Sequence, residues 1–361
     1  MAHTLQERYS SLVLTKLRKE LVLKDGIVFN NDYEGNPTAG AVKIPQRDTE
    51  VTAGDYSTTA GIDLSTGSTS YLTVTINKDK AVNEIIDGYE AEAVPDNLAA
   101  DRLDSAAYSL ASVIDNDGAT ELLTGGTPLN YEQITKDNAY SAMVDVRTAM
   151  SKANVPNDGR RYALVTPDFF ALLLKSPEFI SASNLGDAVK QSGAIGSIAG
   201  FNLYEWNDNT AGLQAICGHP RFATRVNEWK VPVSINTLNN TFIGASAVQG
   251  RMVYAHKVLR SAAIRLLMSP ASLTVTLAAG SGGAGKTAVS ATGGGDGATY
   301  KYRILGDNPR AVYGQGTTGF TAVSTEAEPT VGDTIEVAQF SSSKVVAVGY
   351  ATVTAEDIAA S

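Results

Sequence analysis

Hydrophobic and polar positions in the first 269 residues mix helical and strand periods. The clearest helix is predicted over residues 96–118, where an apolar residue recurs every three or four positions. These apolar positions are Ala99, Leu103, Ala106, Leu110 and Val113. Asp96 or Asn97 is expected to cap the start of this helix, and Gly118 is expected to end it. A second helix is predicted from about Asp137 to Lys152.

A buried strand followed at once by a helix is predicted at residues 162–175. Tyr162–Val165 is apolar throughout, which is typical of a strand covered on both faces. Thr166 is expected to cap the helix, with Pro167 in the first turn, where its missing N–H group has no cost.

A short helix over residues 185–191 and a strand over Phe201–Trp206 are expected next. Ile198 lies between two glycines before that strand, a pattern that favours tight turns.

Residues 41–77 alternate as strands do at both ends but not in the middle. The stretch from Thr49 to Ser70 is rich in Thr, Ser, Gly and Asp and has too few large apolar residues to form a core of its own. We predict a long two-stranded extension with a flexible tip, and a disordered surface loop is the alternative. The first 24 residues are amphipathic, which suits either a surface helix on its own domain or a terminal helix that docks on a neighbouring subunit.

The pattern changes at Ser269-Pro270, after which short β runs alternate with Gly-rich turns. The runs are Leu273–Leu277, Ala288–Ala291, Thr299–Ile304, Thr334–Val337 and Val345–Val353. Their spacing predicts an all-β, immunoglobulin-like sandwich over residues 270–361. We therefore expect two domains, with the boundary after residue 269.

Composition narrows the functional classes. The 361 residues include 29 Lys and Arg against 38 Asp and Glu, a net charge of −9, which argues against a protein whose main task is to grip phosphates. The single cysteine, Cys217, excludes an internal disulfide and any cysteine-based zinc finger. The three histidines argue against most His-based catalysis. With neither a signal-peptide pattern nor a long apolar run, we expect a soluble protein in a cytoplasmic or capsid setting, with no membrane partner.

Gly280–Thr287 matches the Walker A pattern, with Gly280, Gly285, Lys286 and Thr287 at the pattern positions. A phosphate-binding loop needs a helix directly after it, whereas Ala288–Thr292 has the pattern of a strand. We favour a turn between strands and keep a P-loop nucleotide-binding protein as an alternative. The GxGxxG match at residues 314–319 also lacks a following helix.

Three residue pairs could carry chemistry but have plainer interpretations. Cys217 and His219 are expected to be a buried thiol and a surface imidazole. The acidic pairs Asp115/Asp117 and Glu326/Glu328 are expected to form turns, with a weak cation site as the alternative. No catalytic residue, metal site or cofactor is predicted.

Several of these segments together resemble the major capsid proteins of tailed bacteriophages, which have the Hong Kong 97-like fold. The resemblance rests on Tyr162–Asp168, Ser176–Phe179 and Ile195–Tyr204 and covers roughly residues 1–269. It implies an α+β capsid fold whose parts are an N-terminal arm (1–35), an extended loop (41–77), a spine helix (96–118) and an axial domain (about 185–245). The C-terminal domain is similar to the immunoglobulin-like decorations of phage structural proteins.

The resemblance implies a structural function. The chain would assemble with itself, in hexamers and pentamers, into an icosahedral phage head around double-stranded DNA that it contacts non-specifically. A separate scaffolding protein and a portal protein are implied as partners, with assembly in the bacterial cytoplasm. By analogy, the C-terminal domain would project outward and bind host-surface glycans. A surface adhesin is the other alternative, disfavoured by the lack of a signal-peptide pattern.

Overall fold

The computed structural model describes residues 17–33, 40–47, 50–64, 66–89, 98–178, 196–238, 243–294 and 298–360. The chain divides into two compact units. Unit 1 comprises Met1–Gly125 and Pro220–Ser261, and unit 2 comprises Gly126–His219 and Ala262–Ser361. The predicted helix over residues 185–191, the predicted helix caps at residues 96 and 97 and most of the predicted amphipathic start lie outside the described residues.

Unit 1 places one long helix on an antiparallel sheet and carries a separate hairpin. Its described elements are β1 (Ala41–Arg47), β2 (Thr69–Thr75), β3 (Lys78–Ile86), α1 (Leu98–Gly125), β9 (Ala223–Thr237) and β10 (Ser246–Val258). Strand β10 is central, with β3 and β9 antiparallel on either side of it. Ala106 of α1 packs with Ile86 of β3 and Val248 of β10, so the apolar face of the helix covers the sheet.

Helix α1 does not end at Gly118, as the sequence had predicted, but continues to Gly125. Gly118 is buried, and a Cβ atom there would lie 3.0 Å from the Phe29 ring and 3.3 Å from His256 Nε2. The glycine therefore lets Phe29 and His256 pack closely against the helix and does not end the helix. The prediction that Val113 lies on the apolar face of the helix was also wrong. Val113 is 38% exposed, whereas the neighbouring Ile114 is buried.

Unit 2 begins with a six-stranded mixed sheet. Its elements are β4 (Thr127–Asn130), α2 (Ala139–Lys152), β5 (Tyr162–Val165), α3 (Pro167–Leu174), β6 (Ser197–Ile198), β7 (Phe201–Glu205), β8 (Leu213–Gly218) and β11 (Arg265–Met268). The strand order is β4-β11-β8-β5-β7-β6. All four residues of β5 are buried, as predicted. The predicted cap is confirmed, because Thr166 Oγ1 accepts a hydrogen bond from the backbone N–H of Phe169.

The rest of unit 2 is all β. It contains β12 (Ala271–Ser272), β13 (Thr274–Ala279), β14 (Thr287–Thr292), β15 (Thr299–Ile304), β16 (Thr321–Ala322), β17 (Thr334–Ser341) and β18 (Lys344–Thr352). The five predicted β runs are all strands. A sheet of order β12-β18-β17-β15-β16 stands beside the pair β13-β14. Val289 of β14 packs with Ile335 and Val337 of β17, which places the core between the two sheets.

The division into units differs from the expected domain boundaries. Residues 270–361, expected as a domain of their own, belong to the same unit as residues 126–219. The region expected as the axial domain, about residues 185–245, is split at Pro220.

The side chain of Tyr313 connects the C-terminal strands to the rest of unit 2. Its backbone N–H donates to the Tyr131 carbonyl at 3.1 Å, and its hydroxyl donates to the Ala211 carbonyl at 3.2 Å. Gly212 has φ of 76°, and a Cβ atom there would overlap the Tyr313 ring. Only glycine satisfies both the backbone angle and the close ring contact. The C-terminal strands are thus attached both through the chain after β11 and through the contacts of Tyr313.

Candidate assembly interface

The β1–β2 hairpin extends from a buried base to an exposed tip. The strands pair antiparallel from Ala41 with Thr75 to Arg47 with Thr69. At the base, Ile44 and Val74 are buried against Val226 of β9 and Ala255 of β10. The alternation of the two strands therefore fixes one face of the hairpin on unit 1.

Beyond the paired strands lies the tip, which we define as residues 50–64. Ser57 and Gly61 exchange backbone hydrogen bonds of 3.2 and 2.8 Å, and the Ser57 hydroxyl accepts from two backbone N–H groups inside this turn. Large apolar side chains nevertheless point to solvent here, with Tyr56 74% and Leu64 100% exposed. The tip therefore combines a locally ordered turn with apolar surface that a partner could cover.

The described part of the expected N-terminal arm is held by a buried polar network. Nη1 of Arg225 donates to Asp25 at 2.9 Å, and Nη2 donates to the Leu23 carbonyl at 2.9 Å. The N–H of Leu23 donates to the carboxylate of Asp115 at 3.0 Å. The chain near residue 23 is thus bonded to both α1 and β9.

His256 completes this network as a neutral imidazole. Its Nε2 atom accepts a hydrogen bond of 2.8 Å from Nε of Arg225, and its ring lies 4.9 Å from that of Phe29. Burial first, and the positive charge of Arg225 second, lower the pKa of His256 to about 3. The imidazole therefore stays uncharged at neutral pH and serves as an acceptor.

Asp115 and Asp117 lie within helix α1, so the prediction that they form a turn is wrong. Burial raises the pKa of Asp115. Asp117 accepts a 2.7 Å hydrogen bond from the Tyr254 hydroxyl and pairs with Lys78 at 3.3 Å. Both carboxylates are structural groups that bind α1 to its surroundings.

The Walker A match forms a connection between two strands. Gly280, Gly285 and Lys286 lie between β13 and β14, and Thr287 is the first residue of β14, with its hydroxyl donating to the Asp357 carbonyl at 2.8 Å. A strand therefore follows the loop where a P-loop needs a helix.

The polar groups of this loop are bonded to carboxylates of the same chain. The N–H groups of Ser281 and Gly282 donate to Glu326 at 2.7 and 2.8 Å, and Lys286 pairs with Glu328 at 2.7 Å. The loop amides that would hold a phosphate thus hold an internal carboxylate. The GxGxxG match at residues 314–319 precedes the short strand β16, again without a helix after it.

Cys217 and His219 are not a reactive pair. Cys217 is fully buried in β8, and burial raises the pKa of its thiol, which disfavours the nucleophilic thiolate. His219 is also fully buried, which corrects the prediction of a surface imidazole, and its Nε2 lies 2.9 Å from Asp158. Among the described residues, no group of His, Cys, Asp and Glu is arranged to hold a metal ion. No helix in the described ranges is long and apolar enough to cross a membrane.

Solved structures match the chain, although no family model and no curated protein does. A chain from Mycobacterium phage Che8 has a TM-score of 0.62 and 24% identity, over 73% of this chain and 96% of its own. The capsid structure of the cyanophage P-SCSP1u has a TM-score of 0.62 and 12% identity, over 73% of this chain and 92% of its own. The capsid of the native GTA particle has a TM-score of 0.57 and 14% identity, over 73% and 95%.

This chain has the fold of phage capsid proteins. The capsid fold accounts for nearly the whole length of those chains but leaves about a quarter of this one unmatched. Residues 270–361 also make up about a quarter of the chain. A long helix and a hairpin are present in unit 1 where the sequence predicted them, whereas the network around Arg225 was not foreseen.

Proposed function

We propose that this chain is a major capsid protein that assembles with itself into an icosahedral phage head of the Hong Kong 97-like kind. The observation that carries the proposal is the capsid fold, shared over nearly the full length of the matched phage chains. The exposed apolar side chains of the tip support it, since a monomer gains nothing from leaving Tyr56 and Leu64 in water.

The parts of unit 1 suit their proposed roles. The β1–β2 hairpin and its tip are the extended loop, α1 is the spine helix, and the residues held by Arg225 are the base of the N-terminal arm. Each contact between subunits is small, and the number of contacts in a closed symmetric shell makes it stable. The net charge of −9 suits a container that does not hold its DNA tightly. Scaffolding and portal proteins remain partners expected from the resemblance.

For residues 270–361 we propose an immunoglobulin-like sandwich carried on the shell. Its packed core between two sheets supports this assignment. Binding of host-surface glycans by this domain stays a prediction from the analogy.

Electron microscopy of the purified full-length chain tests the proposal, alone and with its scaffolding protein. Closed shells of uniform diameter are the expected result, and a protein that stays monomeric under both conditions would contradict it. A calorimetric titration with ATP tests the nucleotide-binding alternative. We expect no binding heat, because the loop amides already bond Glu326. ATP binding that disappears in Lys286→Ala would favour the alternative.

A further inference from the structure

Unit 1 contains a basic pocket beside residues 44–47 of strand β1, with a volume of about 320 Å³. Three arginines line it, Arg47, Arg221 and Arg260, and its apolar surface includes Leu72 and Phe222. Among the described residues that line the pocket, none is acidic. A pocket of this kind suits a ligand that presents carboxylates beside apolar side chains.

The arginines come from three separate parts of the chain and are placed by local contacts. With its oxygen turned toward Arg260, the side-chain amide of Gln46 accepts hydrogen bonds of 2.7 and 3.2 Å from the two terminal nitrogens of that guanidinium. The backbone at Arg221 is fixed because its carbonyl accepts from Asn30 Nδ2 at 3.2 Å. The guanidinium of Arg260 and the backbone of Arg221 are therefore held in place, and the positive charges do not come from one basic run of the sequence.

The tip has the complementary chemistry. Residues 50–64 contain three acidic residues, Glu50, Asp55 and Asp63, and neither Lys nor Arg. Apolar Tyr56 adjoins one of these carboxylates, and apolar Ile62 and Leu64 flank another. Acidic and apolar groups thus alternate along both sides of the closed turn.

The tip of a given chain does not fill its own pocket, because Tyr56 and Leu64 are largely exposed. We propose that the tip of one copy inserts into the basic pocket of a second copy, with Asp55 and Asp63 facing the arginines. This inference rests on the proposed function and names the surface that receives the loop. Tip and pocket are different surfaces, so each bound copy still offers one of each, and the contact propagates around a ring or shell.

Charge reversal tests the pairing. In the pocket variant, Arg221→Glu is combined with Arg260→Glu, and in the tip variant Asp55→Lys is combined with Asp63→Lys. Like charges then face each other, so the shell yield of each variant is expected to fall at least about tenfold. A chain that carries all four substitutions has opposite charges again, and its yield is expected to return to within about twofold of the original.

A matched control reverses charge on an exposed turn of unit 2, with Asp307→Lys, and leaves the yield unchanged. Thermal unfolding of each soluble variant checks that it has folded. The proposal is overturned if the original chain forms shells and the pocket and tip variants do so equally well, or if the fourfold variant is no better than either. Absence of shells from the original chain would instead count against the proposed function.

Disulfide trapping tests the contact without requiring shells. Thr58→Cys places a thiol on the tip, and Tyr33→Cys places one on the pocket wall. The buried Cys217 contributes no background crosslink. Oxidation is expected to give a ladder of reducible multimers, whereas the control pair Thr58→Cys with Ser343→Cys in unit 2 gives monomers. Equal ladders from both pairs, or none from the first, would refute the contact.

Discussion

The two units differ in what they leave exposed. Thirteen large hydrophobic side chains in the described residues are exposed; twelve of them lie in unit 1, and unit 2 contributes only Val331. The twelve include four from the tip and two, Trp229 and Ile235, from β9. Unit 2, by contrast, buries β5 completely and closes two sheets over a core. Among the described residues, unit 2 thus covers nearly all of its large apolar side chains at least in part, whereas unit 1 exposes apolar surface that suits a partner.

The buried charges follow the same division. In unit 2, Glu336 is fully buried and accepts from Arg303 at 2.5 Å and from the Ala311 N–H at 2.8 Å, so an ion pair fixes a loop within the β region. In unit 1, Arg225 donates to a neutral imidazole, a carbonyl and the partly exposed Asp25. The first network stiffens a closed fold, whereas the second holds the chain at residues 23–25.

The largest effect is expected when the apolar surface of the tip in unit 1 is removed. Replacement of Tyr56, Ile62 and Leu64 by serine is expected to lower the shell yield at least about tenfold. Burial of each of these side chains by a partner stabilises the contact by about 1.5–3 kcal/mol. The unfolding temperature of the monomer stays unchanged, because these side chains are already in solvent. Val331→Ser, the matched change in unit 2, leaves the yield unaffected. Equal losses from both would remove the contrast between the units.

A smaller effect is expected at the attachment of the C-terminal strands in unit 2. Gly212→Ala forces an unfavourable positive φ and pushes against the Tyr313 ring, which should cost about 2–4 kcal/mol of unfolding free energy. Denaturant unfolding measures the loss. Gly319→Ala is the control, with φ of 84° and nothing within 4 Å, so it carries only the backbone cost. If the two variants lose the same stability, the ring contact contributes nothing.

The smallest expected effect is a dependence of the unfolding free energy on pH, which arises from His256 in unit 1. The pKa of His256 is about 3 in the folded chain against 6.5 as a model value, so between these values the unfolded chain binds a proton that the folded chain does not. Unfolding free energy therefore falls as pH decreases below 6.5, by at most about 1.4 kcal/mol per pH unit. The charged groups around the ring are Arg225, Asp117 and Lys78, and Asp117 opposes the other two.

Urea unfolding followed at several pH values between 6.5 and 5 measures this slope, above the range in which most carboxylates titrate. His256→Gln keeps an oxygen acceptor for Arg225 without a titrating ring, and its slope is expected to be shallower. An unchanged slope would mean that His256 is not the source of the dependence.

Local features of the fold were predictable from the sequence. Thr166-Pro167 and the apolar run of β5 carry their structural signal within a few residues, and both were predicted correctly. The role of Gly118 was not predicted correctly, because glycine is equally compatible with a helix end and with close packing. The ring that decides between these roles belongs to Phe29, about 90 residues away in the chain.

The candidate interface was predictable only in outline. The scarcity of large apolar residues over residues 49–70 indicated an extension that forms no core of its own. The basic pocket gave no signal, because Arg47, Arg221 and Arg260 are far apart in sequence and meet only through β-sheet pairing and the packing of the hairpin base. Arg225 likewise meets Asp25 across 200 positions.

The double attachment of the C-terminal strands has a mechanical consequence. A pull on that region is divided between the backbone leaving β11 and the Tyr313 ring seated against Gly212. Strand β11 is hydrogen-bonded on both edges, to β4 and to β8, so the load spreads into the middle of the six-stranded sheet. The two connections therefore restrict rotation of the region relative to the six-stranded sheet. A force applied to the region would be transmitted to that sheet as torque as well as tension.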